Sequence, residues 1–120
     1  MRQRRLGNSG VKVSQFCLGC MTFGREADES ESVRIVHAAL ERGVTFFDTA
    51  EAYQDGLSET ILGKALRDSK REDVFVATKV MPHHSISMPE GDLTRRHLRL
   101  ACEGSLLSKR SQSPCFCHAR

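Results

Sequence analysis

A chain of 120 residues, 39% hydrophobic and 28% charged, has the balance of one small globular domain. A net charge of +3, with Lys and Arg scattered rather than striped, gives no case for a nucleic-acid partner. No apolar run approaches the roughly 20 residues of a membrane span, and the start lacks an apolar signal core, so no membrane partner and a cytoplasmic location are expected.

In chain order, residues 4 to 13 predict a small hairpin, with Arg5-Leu6 and Val11-Lys12-Val13 flanking the turn Gly7-Asn8-Ser9-Gly10. A strand is predicted from Val13 to Leu18, leading into Gly19-Cys20-Met21-Thr22-Phe23-Gly24. The first helix carries its own start and stop signals. Asp28 caps it, Glu31 is the reciprocal partner, and Gly43 occupies the left-handed C-terminal position. Val33, Val36 and Leu40 recur between them at helical spacing.

The run Val44-Thr45-Phe46-Phe47 reads as a second strand ending at Asp48. A second helix is predicted to open at Ser58, with Ile61, Leu62, Ala65 and Leu66 on its apolar face. The third strand, Val74 to Thr78, ends at Lys79 and Val80. The third helix starts at Thr94 and lines up Leu98, Ala101, Cys102, Ser105 and Leu106.

This order is α/β, with Val44 and Val74 one βαβ unit apart. Nearly all-apolar strands predict a parallel sheet covered on both faces. Periodicity alone permits either a doubly wound sheet or a barrel, although the glycines form no G-x-G-x-x-G loop.

From Ser111 to Arg120 the pattern stops. The stretch has no alternation, no β-branched residue and a proline at Pro114, so no fourth strand is predicted and residues 108–120 read as a divergent, disordered tail. Five cysteines without a secretory signal argue against a disulfide framework. Cys17-x-x-Cys20 admits a redox or metal reading, but the surrounding Phe16 to Cys20 reads better as a buried strand and its exit. Cys115-x-Cys117-His118 has zinc-binding atoms but lacks a second ligand pair at standard spacing, so no metal is expected.

Polar residues at the C-terminal ends of parallel strands are the first place to look for a site. Asp48 and Lys79 end the second and third strands, and the sole tyrosine, Tyr53, lies five residues past Asp48. A lysine beside a tyrosine stabilises the phenolate and lowers a phenol's pKa from about 10 toward the working range. A carboxylate fixes that lysine, and such a tyrosine can give a proton to a carbonyl oxygen while another agent supplies hydride. The competing reading is a structural ion pair with a tyrosine that merely packs.

Gly43 to Tyr53, with Asp48 and Tyr53 in place, closely resembles the aldo-keto reductase signature. Ser58 to Leu66 and Val76-Ala77-Thr78-Lys79 resemble the segments that follow in that family, the latter carrying its catalytic lysine. Leu6 to Gly10 and Leu18 to Gly24 resemble the branch that holds aryl-alcohol-dehydrogenase-like enzymes and potassium-channel β subunits.

The resemblance, over residues 3 to 107, implies part of a TIM (β/α)₈ barrel that uses NADP(H) to reduce aldehydes and ketones. Tyr53 would be the proton donor, with Asp48 and Lys79 tuning it. Gly19, Met21, Thr22 and Asp48 would approach the cofactor, and the hairpin would cap the closed bottom of the barrel.

The family's fourth catalytic residue is a histidine ending the fourth strand. With no strand predicted there, His118 is not assigned that role. Most of the family's NADPH-binding loops would follow later still. Residues 1–107 are therefore expected to form the N-terminal part of such a barrel, as a truncated product that is inactive alone and, with open sheet edges, only partly folded or prone to aggregate. The alternative is a non-catalytic fragment that associates with a full-length homologue or a channel-type partner.

Overall fold

The computed structural model describes residues 1–80, 93–108 and 115–119. His83 and His84, which the sequence puts in the loop after Lys79, lie outside the described residues.

Strands β1 (Gln3–Arg5) and β2 (Lys12–Ser14) form the predicted antiparallel hairpin, with Arg4 opposite Val13. Gly7 and Gly10 take the positive φ values, 55° and 78°, that close its turn. The hairpin is tied to the residue just ahead of the second sheet strand. Ser14 N donates to Thr45 Oγ1 at 3.2 Å, and Thr45 N donates to Ser14 Oγ at 3.0 Å. It therefore sits at the N-terminal end of the main sheet.

The single strand expected from Val13 to Leu18 is in fact two. The chain leaves the hairpin at Ser14, bends, and enters β3 (Cys17–Gly19) in a different sheet. Ser14 Oγ donates to Phe16 O at 2.6 Å across the bend, which competes with a continuous ladder. Phe16 and Cys17 are exposed, so this segment is not the buried strand expected.

Helix α1 (Glu29–Glu41) is capped by Asp28, whose carboxylate accepts from Glu31 N at 2.8 Å. Only that half of the expected capping box forms, because the Glu31 carboxylate pairs with Arg34. Gly43, at φ 80°, stops the helix as predicted. Strand β4 (Phe46–Asp48), helix α2 (Leu57–Ala65), a 3-10 turn at Arg71–Asp73, strand β5 (Phe75–Val80) and helix α3 (Arg95–Ser108) follow. Ser58 does not cap α2. Gly56 takes that position, and Ser58 is buried for another purpose.

A sixth strand, β6 (Cys115–Ala119), pairs in parallel with β5, which corrects the expectation of no fourth strand. Without β6 the edge of β5 along Val76–Val80 would be an open template for hydrogen bonding, and that template acts on the main chain whatever the side-chain pattern. Pro114 stands one residue before the strand in sequence, so it removes no donor from the ladder.

The main sheet runs β3-β4-β5-β6, all parallel and in sequence order. A doubly wound sheet reverses strand order part-way, whereas an unbroken order keeps right-handed crossovers on one side, as in a barrel wall. The burial follows that geometry. Phe47, Val76, Thr78 and Val80 are buried on the helix-covered side, with Phe47 and Val76 in one core with Val36, Ile61 and Leu62. Each such large apolar side chain contributes about 1.5–3 kcal/mol on burial.

Phe46, Phe75, Ala77 and Lys79 alternate onto the other face and are only half-buried. There Phe46 and Phe75 meet edge to face, with centroids 5.3 Å apart. Among the described residues the sheet is thus covered on one face, not on both as expected, because α1, α2 and α3 pack side by side. Among the described residues it is an open parallel sheet and not a closed barrel. No helix among them is long and apolar enough to cross a membrane.

Candidate active site

The three residues singled out from strand ends and loop spacing come together at the C-terminal edge of the sheet. Asp48 is the last residue of β4 and Lys79 the penultimate residue of β5. Parallel register puts Asp48 beside Ala77, two residues short of Lys79 on the same face. The flexible lysine stem spans the remaining distance. Lys79 Nζ donates to Asp48 Oδ2 at 2.8 Å and to the Thr49 carbonyl at 2.7 Å.

Tyr53 lies in the turn before α2, and Lys79 Nζ stands 4.9 Å from its ring centroid. Burial by itself works to lower the Lys79 pKa. Hydrogen bonding and charge from Asp48 and Tyr53 outweigh it, so the ammonium is held above its ordinary 10.5. A fixed cation beside a phenol, open to solvent on one side, can stabilise negative charge developing on that oxygen.

The backbone braces this edge. Cys20 N donates to Asp48 O at 2.8 Å, Thr49 N to Ala77 O at 2.9 Å and Glu51 N to Lys79 O at 3.3 Å. A buried hydroxyl pair adds a second brace. Ser58 Oγ donates to the Cys20 carbonyl at 2.7 Å and lies 3.0 Å from Thr49 Oγ1, which joins α2 to both loops. Its burial beside Thr49 is what takes Ser58 away from the cap position.

The remaining expected site residues occupy the neighbouring rim. Gly19 ends β3 in register with Asp48, and a Cβ there would meet nothing within 4 Å. Met21 and Thr22 follow on an exposed loop, Met21 being 54% exposed. The open space above Gly19 and the partly exposed Asp48 and Lys79 side chains leave this rim accessible to a ligand.

His118, not assigned a role from the sequence, stands in register opposite Lys79 on β6. No pattern in the sequence marked that strand, so position alone could not have found it. The Thr49 carbonyl was equally invisible, since any residue supplies one.

The Cys17-x-x-Cys20 pair is not built for thiolate chemistry. Although Cys17 is exposed as a residue, partial burial of its thiol, with the negative charge of Asp48, pushes that thiol up to about 11 against the opposing pull of Lys79. Burial likewise pushes Cys20 up to about 12, with Cys17 and Asp48 adding to it. Both are free thiols. Cys20 is a core residue of the kind expected of a small hydrophobe, and Cys17 is not.

The sequence profile of the Aldo/keto reductase family matches residues 15–109. The chain belongs to that family. An aldo-keto reductase from Bacillus halodurans, solved in its holo form, superposes with a TM-score of 0.83 at 34% identity, covering 99% of this chain and 40% of that one. An aldo-keto reductase from Klebsiella pneumoniae, solved in complex with NADPH, superposes at a TM-score of 0.69 and 30% identity over 85% of this chain and 33% of that one. In sequence, a "Probable voltage-gated potassium channel subunit beta" from Oryza sativa subsp. japonica is 39% identical over 109 residues, which is 88% of this chain and 33% of the relative. This aldo/keto reductase chain thus spans about a third of the length of the curated relatives it matches.

Proposed function

We propose that this chain carries the proton-donor part of an NADP(H)-dependent reductase site for aldehydes and ketones. The observation that carries this reading is the convergence of Asp48, Tyr53 and Lys79 at one end of a parallel sheet, with Lys79 Nζ 2.8 Å from Asp48 and 4.9 Å from the Tyr53 ring. An NADPH-bound relative of the same family supports the choice of cofactor.

Tyr53 gives its hydroxyl proton to the substrate oxygen as the carbonyl is reduced to an alcohol. Lys79 stabilises the phenolate left behind, and Asp48 with the Thr49 carbonyl holds Lys79 in place. NADPH, when bound, supplies the hydride to the carbonyl carbon. Gly19, Met21, Thr22 and Asp48 would line its nicotinamide end. His118, in register with Lys79, is the candidate for the histidine that ends the family's fourth strand.

The test grafts residues 1–119 in place of the matching segment of the Bacillus halodurans reductase and follows aldehyde-dependent NADPH oxidation. Removing a general acid costs about a hundred- to ten-thousand-fold, so Tyr53→Phe should lower kcat/KM by that order. A Tyr53→Phe graft that turns over like its parent would sink the reading.

One observation favours a second reading. The half-buried face bearing Phe46 and Phe75 suits association with a homologue or another protein, and one relative is named as a channel subunit. Association that survives Tyr53→Phe, without NADPH oxidation in the graft, would support it over catalysis.

A further inference from the structure

The residue after Tyr53 has no part in the proton transfer above, yet its backbone and side chain are both held in unusual ways. Gln54, Asp55 and Gly56 follow one another with φ values of 48°, 51° and 86°. Side chains other than glycine rarely enter this left-handed region, and consecutive entries are rarer still. Such a conformation persists only where its surroundings over-determine it.

Those surroundings are visible on both sides of Gln54. Its carbonyl accepts from Leu57 N at 3.0 Å, while Tyr53 N donates to Ala50 O at 3.1 Å and Ser58 N to Tyr53 O at 3.4 Å. Its side chain reaches away from this turn to a different loop. In the orientation that satisfies both ends of the amide, the nitrogen donates to the Met21 and Phe23 carbonyls, each at 3.1 Å. Phe23 is 1% exposed and belongs to the core, so the far end of the tether is anchored.

The geometry points to Gln54 as a positioning residue that joins the loop containing Met21 and Thr22 to the turn containing Tyr53. It rests on the reading of Tyr53 as proton donor and of the Met21–Thr22 loop as the cofactor rim. One amide clamps two carbonyls on the rim, and its own backbone sets where the Tyr53 ring emerges. The two segments therefore move as a unit. A ligand that orders the rim also orders Tyr53, and a loosened Tyr53 turn releases the rim.

Amide hydrogen exchange read by mass spectrometry tests this on the chain itself at low concentration, without any activity. Gln54→Ala removes the clamp. Gln54→Asn removes its reach by one methylene while suiting the left-handed backbone better. Losing two neutral hydrogen bonds should accelerate exchange in residues 20–25 and 50–58 together, by about ten- to thirty-fold, in both variants.

Residues 29–41 of α1 should exchange at the parental rate. Wild-type exchange in Gln54→Asn would overturn the proposal, because backbone conformation and not the clamp would then hold the turn. Acceleration in 50–58 alone would overturn it as well, as would equal acceleration in α1. Tyr53→Phe in the graft assay tests the catalytic reading separately, so the two failures are distinguishable.

Discussion

Glu59 on α2, a carboxylate-bearing residue only 1% exposed, accepts a hydrogen bond from Thr78 Oγ1 at 2.5 Å. Thr78 is buried on the helix side of β5, immediately before Lys79 on the opposite face. The bond therefore pins the strand segment that presents Lys79. Thr78→Val keeps the shape and removes the donor, so a buried carboxylate loses one of its hydrogen bonds. The expected loss is about 1–3 kcal/mol of stability, measured by urea unfolding. A variant as stable as its parent would show that the carboxylate is satisfied without Thr78.

Lys79 gives stability a defined alkaline limit. Its folded-state pKa lies above the ordinary 10.5, because Asp48 and Tyr53 outweigh the cost of burial. A group whose pKa rises on folding stabilises fully below its unfolded value and loses that contribution as pH climbs through the folded value. The Lys79 interactions are thus complete at neutral pH and fade only above about 10.5. The difference in melting temperature between the parent and Lys79→Met should be constant from pH 7 to 9 and shrink above that limit. A difference that already shrinks below pH 9 would contradict the raised value.

How much of this was legible in the sequence depended on how local each signal was. Asp28 capping α1 and Gly43 ending it are set within a few residues, and both were readable. The meeting of Asp48 and Lys79 was also readable, since neighbouring strand ends in a parallel sheet lie side by side.

What was missed is decided at a distance. β6 forms on the free edge of β5 and not from its own pattern, which hid the register of His118 with Lys79. Ser58 looked like a helix cap by type, but the Cys20 carbonyl from another loop claims its hydroxyl. The Gln54 clamp spans more than thirty residues to Met21 and carries no motif at all.

Cys17 should react slowly despite its exposure. Only the thiolate attacks alkylating agents, and a rise from 9.0 to about 11 removes most of it at any working pH. Iodoacetamide at pH 8, followed by mass spectrometry, should label Cys17 on the order of a hundred-fold more slowly than an ordinary free thiol of a short peptide. Because Lys79 opposes the shift, Lys79→Met should slow Cys17 further. Faster labelling in that variant would mean that Lys79 shields the sulfur sterically more than it stabilises its charge.

Gly24 closes the loop that Gln54 clamps, and two separate effects restrict it. Its φ of 81° suits glycine, and a Cβ there would lie 2.7 Å from Leu57 Cδ2 and 2.9 Å from Leu57 Cγ. Leu57 is 41% exposed at the start of α2, so its side chain can swing aside. The backbone strain cannot be relieved that way. Gly24→Ala should therefore cost about 1–3 kcal/mol in urea unfolding, most of it conformational. Adding Leu57→Ala should recover only the smaller steric part. Full recovery in the double variant would assign the whole cost to the contact and leave the left-handed backbone at Gly24 without energetic consequence.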